Sequence, residues 1–120
     1  MPEHPPAIKR LDSLHSAAMI AHEAIFEIHR KLIAADRSNP EQTRLLEESA
    51  RIVTVELSGL SANARQLSTR WREQSVLDPE GAARTLAGLE AELNRVESRF
   101  LPLHKRQRQI ARQMRAMLES

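Results

Sequence analysis

Three histidines recur at an interval of seven residues: His15, His22 and His29. Imidazole binds metals, and it is the side chain whose charge ordinarily changes between about pH 5 and 8. Spacing argues against a metal within one helix. At about 1.5 Å rise per residue, positions seven apart lie about 10.5 Å apart along the axis, whereas zinc holds imidazole nitrogens at about 2 Å. A chelating pair on one helix stands four residues apart, and no such pair occurs. No acid lies three or four residues from His22 or His29, and only Asp12 stands near His15. No metal site and no cofactor are expected, unless a partner chain supplies the missing ligands.

The histidines interleave with Met19, Phe26 and Ile33 at steps of four and three. This row lies beside a main apolar stripe, and the two together cover an arc of roughly 160°. That is wider than a single coiled-coil seam needs. His15, Met19, His22, Phe26, His29 and Ile33 form the candidate interface. Two expectations compete for the histidines. They flank a second packing surface, with their polar edges toward water or a backbone carbonyl, or they make that surface sensitive to pH.

A second cluster lies near the end of the chain. Residues 103–118 carry Lys105, Arg106, Arg108, Arg112 and Arg115 and no acid, whereas the remainder holds 13 basic and 16 acidic residues. The segment reads as an amphipathic basic helix with Ile110, Met114 and Met117 on its inner side. Such a helix can bind nucleic-acid phosphates or lie on an anionic membrane, although no Trp or Phe anchors it there. It can also pair inside the bundle with Glu41, Glu47 and Glu48, or with acids of another subunit, and pairing of this ordinary kind is the expectation favoured here.

Other chemistry is missing from the sequence. There is no glycine-rich phosphate loop and no G-x-S-x-G. His22-Glu23 opens the H-E-x-x-H pattern, but position 26 is Phe. The Glu-x-x-His pairs of di-iron bundles are absent. His29 is followed by Arg30-Lys31-Leu32, which departs from the His-x-x-Lys-Gly of phosphotransfer domains. Small all-α enzymes can build a site from Arg, Lys and Glu, types abundant here, yet no local motif marks one. The chain reads as non-enzymatic.

The elements that must carry these residues are legible from periodicity. Apolar residues recur at steps of three and four through Leu11, Leu14, Ala18, Ala21, Ile25, Ile28, Leu32 and Ala35. The series resumes from Leu46 to Trp71 and again from Ala82 to Met117, the signature of helices that bury one stripe. Residues 1–6 read as an extended leader, and Pro6 suits a first helical position. Asn39-Pro40 and Asp78-Pro79 are each a capping residue followed by a helix-starting proline, and Gln42 completes a capping box with Asn39. The spacing predicts helices over about 7–36, 40–74 and 79–118, joined by short connections that make neighbours antiparallel. The expected fold is all-α, an elongated antiparallel three-helix bundle running up-down-up. Pro102 removes one backbone donor and crowds the carbonyl of Ser98, so the third helix should kink there. Gly59, flanked by serines, is read as a point of close helix crossing.

Composition agrees. The 120 residues fit one domain. Glycine numbers three and aromatic residues make up 2%, which leaves few walls for a small-molecule pocket. There is no cysteine, so disulfides and thiolate metal sites are excluded. The first residues have no apolar stretch of the secretory kind, and no run suits a membrane span, so a cytoplasmic protein is expected. The function these features favour is a protein–protein interaction module (an adaptor, chaperone or small regulator) that self-associates as a homodimer. The alternatives are a nucleic-acid binder using the basic helix, and an enzyme or metal protein with its site at a dimer seam.

Overall fold

A computed structural model describes residues 5–35 and 40–119. Helix α1 spans Pro6–Ala34, α2 Pro40–Leu77 and α3 Pro79–Glu119, and the described residues contain no strand. Residues 1–4 of the expected leader, Asp36 and the Asn39 cap lie outside the described residues.

The proline signals act as read. Pro6 occupies the first turn of α1, and the carbonyl of Pro5 accepts the amides of Ile8 (3.0 Å) and Lys9 (3.3 Å). Asp78 caps α3 through its carboxylate, which accepts the Gly81 N–H at 3.0 Å. A Cβ at position 81 would overlap that carboxylate, so glycine is what lets the cap close. α2 runs three residues past the expected end at Gln74. The amide of Asp78 donates to the Gln74 carbonyl at 2.7 Å, which carries the helical pattern to the turn. Asp78 alone separates the two helices. α3 continues as a helix through Pro102. Pro102 is exposed, so a Ser98 carbonyl deprived of its helical donor can turn to water.

The three helices form a bundle 61 × 22 × 16 Å. α3 packs closely on both neighbours, and α1 approaches α2 less closely than it does α3. The stripes read from the sequence supply the core: Leu32, Leu93, Phe100 and Met114 are fully buried, and Ile25, Val53, Leu57 and Ile110 lie with them. α1 and α3 run parallel, fixed where Arg10 donates to the Asn94 side chain at 2.9 Å and pairs with Glu97 at 3.4 Å. The start of α1 therefore lies level with Asn94 and Glu97. The first three to four turns of α3, with the matching end of α2, extend past it as a two-helix overhang. Trp71 sits in this overhang, half-buried, its indole N–H donating to the Ala82 carbonyl at 3.1 Å.

One expectation is corrected. Gly59 is exposed, and a Cβ built there meets no atom within 4 Å. No helix crosses closely at that position, and the same holds for Gly88.

Candidate functional site

The α1 histidines face α2. His15 Nδ1 and the Ser61 hydroxyl share a hydrogen bond of 2.9 Å. His22 Nδ1 lies 3.4 Å from Thr54 Oγ1, and His29 Nε2 lies 3.5 Å from Glu47 Oε2. Each step of seven up α1 is met by a step of seven back along α2, from Ser61 to Thr54 to Glu47. The result is a three-rung polar ladder along one edge of an antiparallel seam. The three imidazoles do not converge, because each has its own α2 partner. The expected partners were water or backbone carbonyls, but α2 presents a side chain at every rung. The α2 half of the ladder was not identified from the sequence. Its signal was the run of polar residues at the α1 interval: Glu47, Thr54, Ser61 and Ser68.

A cavity of about 300 Å³ opens where the His15–Ser61 rung ends. Ile8, Leu11 and Leu93 line it with apolar surface, Ser68 adds a hydroxyl, and Asp12, Arg65 and Arg72 stand around it. Asp12, His15 and Ser61 are the residue types of a hydrolytic triad. Their arrangement does not make one. The imidazole meets the serine through Nδ1, and no hydrogen bond joins Asp12 to His15 among the described residues. These positions lie inside helices, where backbone amides are committed to the preceding turn, so none is aimed at a developing oxyanion.

The apolar members of the candidate interface go elsewhere. Met19 is 48% exposed, Phe26 59% and Ile33 60%. They sit one position C-terminal to Ala18, Ile25 and Leu32, which are buried, so the row stands about 100° around the helix from the core. The structure thus divides the six interface residues into a polar ladder engaged with α2 and an apolar row left in solvent.

The basic residues of α3 are also in solvent. Lys105, Arg106, Arg108, Arg112 and Arg115 are all exposed, while Gln107, Ile110 and Met114 between them are buried. Among the described residues no ion pair engages any of the five, and the expected pairing with Glu41, Glu47 and Glu48 is not formed. Glu47 pairs with His29 instead. No group of three or more metal-ligating side chains is found among the described residues. No helix of the described residues is long and apolar enough to cross a membrane.

No protein-family model, curated protein or solved structure matches this chain.

Proposed function

We propose that this chain is a non-enzymatic helical interaction module that self-associates through the outer row of α1. The observation that carries the reading is the exposure of Met19, Phe26 and Ile33 at seven-residue intervals on a helix whose other large apolar residues, Ile20 apart, are packed inside. A row repeating every seven residues is the pattern by which one helix seats on another. Fully burying a Met, Phe or Ile side chain stabilises by about 1.5–3 kcal/mol.

The row suits a second copy of itself. A twofold antiparallel pairing centred on Phe26 sets Met19 opposite the partner's Ile33 and brings Glu23 near the partner's Arg30. Both Glu23 and Arg30 are exposed. Among the described residues Arg30 is paired with Glu27 alone, at 3.4 Å on the surface, a contact weak enough to exchange. Adaptor, chaperone and regulator remain the roles such a dimer would serve.

Light scattering and far-UV circular dichroism test this together. The native chain should scatter as a dimer. Phe26→Glu should scatter as a monomer with unchanged helicity, since losing a central aromatic anchor costs about 2 kcal/mol or more, roughly thirtyfold in Kd. A native chain that is monomeric at high concentration, or a Phe26→Glu variant that stays dimeric, would end the reading.

A further inference from the structure

Between residues 105 and 116, every exposed side chain of α3 is Lys, Arg, Gln or Ala, and no acid interrupts them. Lys105, Arg108, Arg112 and Arg115 follow one another at steps of three, four and three. At about 100° per residue these steps keep all four on one face, over about 15 Å of axis. Arg106 stands about 100° round the helix from Lys105, outside the row, and Gln109 and Gln113 add uncharged donors between the two. The row faces away from Gln107, Ile110 and Met114, which are buried in the bundle. Four cations on one face, with no ion pair among the described residues, on a chain whose remainder carries excess acid, concentrate positive charge on one side of a rigid rod.

We infer that this outer face of α3 binds the phosphate backbone of duplex nucleic acid without reading its sequence. Duplex DNA offers one negative charge per about 1.7 Å of axis, so a cationic row about 15 Å long meets several phosphates at once. Arginine forks match phosphate oxygens in pairs. No aromatic side chain stands between residues 105 and 116, so stacking on unpaired bases has no platform, and a duplex is favoured over a single strand. A membrane is disfavoured because the apolar residues of this segment face the core and leave nothing to insert into lipid. The inference does not rest on the α1 row, which lies on another helix.

Fluorescence anisotropy with a labelled random-sequence DNA duplex of about 20 base pairs tests it, from about 50 to 200 mM salt. Four phosphate contacts predict that log K falls against log salt with a slope near −3.6. Replacing Arg108 and Arg112 by Gln should weaken binding and make the slope shallower by about two units. Both residues are exposed, so circular dichroism should be unchanged. Arg70→Gln with Arg84→Gln, two exposed arginines toward the overhang, should leave affinity and slope as they were. Three results would overturn the inference: no binding at 50 mM salt, an Arg108→Gln/Arg112→Gln variant that binds like the native chain, or capture by phosphatidylserine-containing vesicles with the duplex left free.

Discussion

Thr43 carries a buried hydroxyl that finds no partner among the described residues. It lies in the first turns of α2 with its side chain toward the core. An unsatisfied buried hydroxyl costs about 1–3 kcal/mol, and valine has nearly the same shape without it. Thr43→Val should therefore raise stability by about 1 kcal/mol, seen as a higher urea midpoint at unchanged slope; a lower midpoint would mean that the hydroxyl is satisfied after all. Residue-level roles were only half legible in the sequence. The interval of seven singled out the histidines, and their spacing argued against an ion shared within one helix. Their partners were missed because register between two helices is a property of the pair, invisible in either alone. Gln107 shows the same limit. It is 1% exposed, amid Leu103, Ile110 and Met114, and it appeared in the sequence only as a gap in the apolar series. Its Oε1 lies 3.4 Å from His104 Nδ1, at the half-buried edge of the core.

At the scale of the helices, local chemistry was a good guide. Proline at the first position marks all three starts, and aspartate closes the cap of α3. The end of α2 was read short because Ser75-Val76-Leu77 contains poor helix formers and precedes a proline. The tight turn to α3 overrides that preference by keeping the Asp78 amide bonded to Gln74. Gly59 was misread for a different reason. Glycine inside a helix signals close approach or nothing at all, and only coordinates tell these apart. Open space around Gly59 and Gly88 leaves their backbone entropy uncompensated. Gly59→Ala and Gly88→Ala should each stabilise the chain by about 0.5–1 kcal/mol. Thermal melts that fall for either variant would show that a neighbour needs the space.

The whole molecule follows from three apolar stripes and two short connections, which is why the up-down-up bundle could be read before any coordinates. Helix length fixes the long dimension: 41 residues at about 1.5 Å make α3 nearly as long as the 61 Å rod. What the stripes could not settle is which outward faces stay empty. α1 carries apolar residues around an arc that two neighbours do not fully cover, and the five α3 cations form no ion pair with the glutamates of α2 among the described residues.

The overhang gives the molecule two regions of unequal support. Along most of the rod each helix leans on two others, but among the described residues the end near Trp71 rests on a single pairing. That indole is the one tryptophan in the chain, so intrinsic fluorescence watches only the weaker region, while circular dichroism averages over all three helices. A urea titration followed both ways should give an earlier midpoint by fluorescence, and the difference would forbid two-state analysis of either curve. Superimposable curves would mean that the unsupported end opens only when the rest does.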